Sequence, residues 1–226
     1  MAQQLTEAVT APERRSRMTY EEYLTQVDED AHAEWVDGEV VRFMPPTARH
    51  QDVVGVLLSL LSIYARLRGL GRVFVAPFEM HVSDRSSREP DVLFVATEHA
   101  DRLTPERLDG PADLVIEVIS NDSVGRDRGD KFYEYQEARV PEYWLFDPRS
   151  GKERTDVYRL TAGGIYQAVL PDTEGRFHAT VVPGFWIDPR WVQEDPLPDA
   201  LTLLRRMAPG VAQQALAGND AAAGSI

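Results

Sequence analysis

Two acidic side chains stand where acids are costly. Glu117 interrupts the apolar run LVIEVIS, and Asp91 opens the run DVLFV. A carboxylate among apolar neighbours loses its hydration and is driven toward its neutral form unless a cation stands beside it. A divalent ion supplies that charge. Mg²⁺ dehydrates reluctantly and usually takes one or two protein carboxylates together with waters. If their strands are neighbours, Asp91 and Glu117 form such a pair. A third group follows, with Asp127, Lys131 and Tyr135 spaced by four on one helical face. One reading is an ordinary ion pair above an aromatic ring. The other is a helix packed over the sheet that aims Lys131 at the acids, where an ammonium orients a water and offsets charge developing on a phosphate. Lysine is scarce here: the 24 basic residues are 22 arginines and two lysines, Lys131 and Lys152.

Other chemistries find no support. With no cysteine, disulfides, zinc–thiolate sites and thiol catalysis are excluded. There is no G-x-x-x-x-G-K-[ST] phosphate loop and no G-x-S-x-G elbow. The five histidines show no H-x-x-x-H spacing. The formal net charge of −13 argues against a surface that grips nucleic acid all over, but not against a local groove. The N-terminal stretch lacks the order of a signal peptide, and no apolar run approaches the ~20 residues of a membrane span. A cytoplasmic protein without membrane contact is expected.

The elements that must position these residues are legible in outline. Residues 1–17 read as a disordered arm and 18–195 as the folded domain. Residues 196–226 read as a short helix, ALTLLRRM, and a disordered Ala-rich tail. Thr19 and Glu22 form a capping box for a short helix. Ala33 to Met44 reads as a hairpin turning at Asp37-Gly38, with Glu34 on its first strand. A long helix from about Ala48 to Arg68 repeats apolar residues at three and four, and His50 lies in its first turn. Ser83 to Arg88 reads as a polar turn. Strands over Glu89–Ala96, Asp113–Ser120 and Pro141–Phe146 enclose a helix ending near Ala138. The pattern implies an α/β or α+β fold with one central mixed sheet flanked by helices.

The runs PDVLFV, DLVIEVIS, D-x-x-x-K-x-x-x-Y and VPEYWLFDP occur in this order, preceded by EWVDGEVVRFMPP and His50-Gln51. Together they resemble the Uma-type putative restriction endonucleases of the PD-(D/E)XK nuclease superfamily, over roughly Met18 to Asp188. The resemblance implies a restriction-endonuclease-like fold, with Asp91 as the acid of the PD element and Glu117 as the second acid. The superfamily lysine usually stands two residues after that acid. Ile119 occupies the position here, so the resemblance points to Lys131 on the following helix. It implies Glu34 as an outer metal ligand beside Asp91 and Glu117. His50, Asp127 and Tyr135 match family positions and are carried as supporting residues. It also implies Mg²⁺ or Mn²⁺ as cofactor and DNA as the substrate, and a homodimer follows if both strands are cut.

The leading expectation is therefore a metal-dependent endonuclease in which Asp91 and Glu117 bind the ion and Lys131 positions water. The alternative is a catalytically weak or inactive nuclease-fold protein that serves as a binding module. A phosphoesterase acting on small nucleotides is a third reading. A nuclease is expected to ring its site with arginines such as Arg88, Arg126 and Arg128.

Overall fold

The structure, a computed structural model, describes residues 14–27, 33–43 and 45–223. In chain order its elements are β1 (Arg14–Arg17), α1 (Tyr20–Gln26), β2 (Ala33–Val36), β3 (Glu39–Arg42), α2 (Ala48–Arg68), β4 (Gly71–Val75), β5 (Glu79–Ser83), β6 (Ser86–Arg88) and β7 (Val92–Ala96). A 3₁₀ turn (Thr97–Arg102) leads to β8 (Arg107–Asp109) and β9 (Leu114–Val118). A π-helical turn (Arg126–Asp130) then runs into α3 (Lys131–Glu137). The remainder is β10 (Glu142–Asp147), β11 (Arg154–Leu160), β12 (Tyr166–Ala168), β13 (Phe177–His178), β14 (Trp186–Ile187), α4 (Ala200–Met207) and α5 (Pro209–Ala223).

The expected mixed sheet is present, in the order β12-β11-β10-β9-β7-β4 with β9 and β10 parallel. β9 and β10 are buried along their whole length, in keeping with apolar sequences interrupted only by acids. One face of this sheet carries Val92, Phe94, Leu114, Ile116, Trp144 and Phe146 and packs on Val53, Leu57, Leu60 and Leu61 of α2. The other face carries Leu93, Val115, Ile119, Tyr143 and Leu145 and packs on Tyr135 of α3 and on Met80 and Leu108 of the other large sheet. Successive strand residues alternate between faces, so Glu117 belongs to this second face.

Several expectations are corrected. Beside the expected mixed sheet, the described residues form a second six-stranded sheet, β1-β3-β2-β6-β5-β8, and a two-stranded one, neither of which was read from the sequence. Ser86–Arg88 is a buried strand rather than a polar turn, because its polar side chains find buried partners: Ser87 bonds Glu79, and Arg88 lies between Glu34 and Glu134. The disordered arm to residue 17 ends sooner, since Arg14–Arg17 pairs antiparallel with β3; residues 1–13 lie outside the described residues. The segment 209–226, expected to be disordered, is helical to Ala223. Alanine has the highest helix propensity, and Val211 and Ala212 join Leu203, Leu204 and Met207 of α4 in the core against α2. Met44 and residues 224–226 also lie outside the described residues. The capping box forms as read, with Thr19 Oγ1 accepting from Glu22 N–H and Glu22 Oε2 accepting from Thr19 N–H.

The β7–β9 register fixes the site. Val92 pairs with Ile116, Leu93 with Val115 and Phe94 with Leu114. Carried one residue further, this register sets Asp91 opposite Glu117. β4 braces β7 from its other side, where Gly71 makes a close approach: a Cβ there would stand 2.1 Å from the Val95 carbonyl oxygen and 2.9 Å from Ala96 Cα. Both are backbone atoms that cannot swing aside. Gly71→Ala is expected to lower the unfolding free energy by about 1–3 kcal/mol in urea titration. A variant as stable as the parent would show that the edge of the sheet yields freely.

Candidate active site

The site is a cleft at the end of β7 and β9, closed by the first turn of α2 and by the π turn before α3. Asp91, Glu117, Lys131, Glu34, His50, Asp127 and Arg126 all line it. Its cavity volume of about 40 Å³ leaves room for about three waters, or for an ion with part of its hydration shell. Tyr135 stands behind this wall and donates from its hydroxyl to Glu117 Oε1 at 3.0 Å. Asp91, Glu117, Lys131, Glu34, His50, Asp127 and Tyr135 therefore converge.

Lys131 is the hub. Its Nζ is 2.7 Å from Glu117 Oε1, 3.0 Å from Glu34 Oε1 and 3.9 Å from Asp127 Oδ1. The π turn widens the helix just before Lys131; such turns are frequent at functional sites. Lys131 thus reaches the strand acid from the helix. Burial opposes the ammonium, but Glu117, Glu34 and Asp127 outweigh it and hold the Lys131 pKa above its ordinary value. Lys131 is an ammonium at any working pH.

The acids divide by the company they keep. For Glu34, burial is outweighed by Lys131, Arg88 and Arg126, and its pKa falls to about 2. Arg88 Nη1 donates to Glu34 Oε2 at 2.7 Å and Glu89 N–H donates to Oε1 at 3.2 Å. Both oxygens of the expected outer metal ligand are thus already engaged, and Glu34 reaches the acid pair through Lys131. For Glu117, burial dominates and the nearby Asp91, Asp127 and Glu34 add to it, so its pKa rises to about 8 despite Lys131. Asp127 is also raised, chiefly by burial.

Asp91 accepts from Val118 N–H on Oδ2 at 2.7 Å, and His50 Nε2 lies 3.3 Å from the same oxygen. The contacts to Glu117 from Lys131 and Tyr135 likewise fall on one oxygen, Oε1. Each carboxylate has about four lone-pair directions, so both retain capacity for a cation. Burial lowers the His50 pKa, but the Asp91 carboxylate reverses this and the net shift is upward.

Glu89 was not singled out in the sequence. It lines the same cleft, its Oε2 is buried without a hydrogen-bond partner, and burial together with Glu34 raises its pKa to about 8. The available signal was its spacing, two residues before Asp91 in Glu-Pro-Asp. Of the three arginines expected to ring the site, only Arg126 borders this cleft; its guanidinium lies 4.1 Å over the Phe43 ring. Arg88 is spent on Glu34 and Glu134, and Arg128 on Asp156 and Asp147.

Carboxylates thus outnumber cations at the cleft, and burial raises the pKa of Glu117, Glu89 and Asp127. A divalent cation fits this excess of acid and suits all-oxygen donors. Among the described residues, no three His, Asp or Glu side chains are arranged to hold an ion by themselves. Asp91 and Glu117 could supply the one or two carboxylates that Mg²⁺ usually takes, with water in the remaining positions.

The raised groups have a consequence for stability. Glu117, Glu89, Asp127 and His50 all bind protons more tightly in the folded state. Each contributes stability that is fully present below its unfolded pKa and is lost as pH rises through its folded pKa. Glu34 acts oppositely, but only toward about pH 2. Without divalent cations, the melting temperature is expected to fall between about pH 5 and about pH 8 through these groups. Glu117→Gln, which mimics the neutral acid, should flatten that decline and melt higher than the parent at the upper end. An unchanged slope in Glu117→Gln would contradict the assignment.

A solved structure described as a putative nuclease belonging to DUF820, from Anabaena variabilis ATCC 29413, superposes with a TM-score of 0.64 at 15% identity; the match covers 78% of this chain and 97% of that one. At that identity the likeness shows the fold alone. No curated protein matches. A family model described as Uma2, putative restriction endonuclease, matches residues 20–190, most of the sequence and every residue of the cleft. The chain belongs to the Uma2 family of putative restriction endonucleases.

Proposed function

We propose that this protein is a divalent-metal-dependent nuclease that hydrolyses phosphodiester bonds of DNA. The observation that carries the reading is the convergence of Asp91 and Glu117, set opposite each other by strand register, with a lysine ammonium 2.7 Å from Glu117. Asp91 and Glu117 are the residues that would hold Mg²⁺ or Mn²⁺; the bound ion supplies an acidified water and charge neutralisation at the phosphate oxygens.

The chain's own residues do the rest. Lys131, being protonated, does not remove a proton from water. It orients the attacking water and stabilises the charge that grows on the phosphoryl oxygens as the new P–O bond forms and the ester P–O bond breaks. Glu34 and Tyr135 fix the Lys131–Glu117 pair from either side. Arg88 holds Glu34 in turn, so its role is to position rather than to touch substrate. Arg126, at the rim, meets the phosphate from the Phe43 side. His50 keeps Asp91 Oδ2 directed inward. Cutting both strands of a duplex calls for two such sites, so a homodimer belongs to the same reading.

The test is nicking of supercoiled plasmid by the purified chain with Mg²⁺ or Mn²⁺. Cutting is expected with metal and not with chelator. Glu117→Ala should abolish it, and Lys131→Met should slow it by about 10²-fold or more. Metal-independent cutting, or equal cutting by Glu117→Ala, would overturn the mechanism. Intact DNA in every arm would favour the scaffold reading, in which the fold binds a partner and no longer cuts.

A further inference from the structure

The acid cleft does not end at Arg126. The same arginine borders a second, shallower cleft that also involves Arg15, Asp37, Asp130, Glu134 and Tyr133. Tyr133 is the unusual member. The other aromatic rings of α3, Phe132 and Tyr135, pack inward, Phe132 against Tyr158 and Tyr166 and Tyr135 against Tyr143. Tyr133 turns outward and is 67% exposed. One edge contact with Phe132, centroids 5.2 Å apart, props the ring and leaves its surface to solvent. It stands two residues along from Lys131, on a helix that the buried ion cluster anchors.

The charge in this second cleft is balanced rather than basic. Glu134 is taken by Arg88 and Asp37 by Arg85. Arg15 faces Glu39 at 3.6 Å, and the protein as a whole carries −13. A groove that followed several phosphates would need an excess of cations. An exposed aromatic ring in a cleft whose three arginines face three acids suits one unpaired base beside one phosphate, because base stacking on an aromatic face works without net charge and tolerates any base.

We propose that Tyr133 and Arg126 form a subsite for the nucleotide next to the scissile phosphate. Tyr133 stacks on an unpaired base, and Arg126 holds the intervening phosphate. This rests on the nuclease reading and extends it. The preferred substrate has a single-stranded or unpaired nucleotide at the cut, and affinity depends only weakly on salt.

The test uses the full chain and two probes. Binding of a short fluorescein-labelled single-stranded oligothymidylate is followed by anisotropy in Ca²⁺, and cleavage of a single strand of abasic tetrahydrofuran nucleotides, a diester with no aromatic ring to stack, is followed in Mn²⁺. Tyr133→Ala is expected to weaken oligonucleotide binding by about 5- to 100-fold. It should leave cleavage of the abasic diester unchanged, and Tyr133→Phe should bind like the parent. Arg126→Gln should reduce the slope of log K against log salt by about 0.7, the value for one single-strand phosphate. The proposal is overturned if Tyr133→Ala binds like the parent, if Tyr133→Phe fails as badly as Tyr133→Ala, or if a blunt duplex binds as well as the single strand. A parent that binds the oligonucleotide through Tyr133 but turns over no diester would remove the nuclease reading and leave the subsite. Diester turnover with no oligonucleotide binding would do the reverse.

Discussion

One buried ammonium organises this molecule. Lys131 is almost fully enclosed, and so are Glu34, Glu117 and Asp127 around it. Taking several charges out of water is expensive, and removing one partner from such a cluster typically costs about 3–5 kcal/mol because the others are left uncompensated. Such a set persists only if every member is held from behind. Arg88 backs Glu34, Tyr135 backs Glu117, and Val118 N–H and His50 back Asp91. A fold designed for stability alone would fill this space with leucine. An excess of acid over base at a buried cleft is the imbalance that the proposed cation would offset.

The architecture follows from that requirement. The acid pair depends on one strand register, and the register is secured by β9 at the centre of a sheet with α2 packed on one face. Lys131 approaches from the other face on a helix started by a π turn. The second large sheet brings Glu34 and Arg88 in side by side, since β2 and β6 are neighbours within it. Lys131, fourteen residues along the chain from Glu117, reaches that carboxylate from the helix side.

How much of this was legible in the sequence depended on the range of the signal. Glu117 stood out because an acid inside LVIEVIS violates burial rules locally. Asp127, Lys131 and Tyr135 were readable from helical spacing, although the wider π turn was not. Ser86–Arg88 looked like a turn, because its partners Glu34, Glu79 and Glu134 come from three other elements and nothing nearby announces them. The four residues of β1, RRSR, have no apolar alternation and are a strand only because β3 offers an edge. The tail looked unstructured by composition, yet alanine propensity and a small apolar patch suffice once α2 and α4 are there to receive it. Glu34 lines the cleft, but its partners follow from sheet order, which no local pattern encodes. Arg88, Arg126 and Arg128 were equivalent as sequence; packing alone separates the one at the rim from the two that are spent internally.

Whether the cleft takes up a divalent cation is tested by calorimetric titration of the chelator-treated protein with Mn²⁺ near neutral pH, repeated in buffers of different ionisation enthalpy. Ligands that are protonated before binding must release protons when metal binds. Saturable binding with net proton release is expected, because burial raises the Glu117 pKa. Both are expected to be lost in Asp91→Asn. Binding that survives in Asp91→Asn would show that Asp91 and Glu117 do not form the cation site.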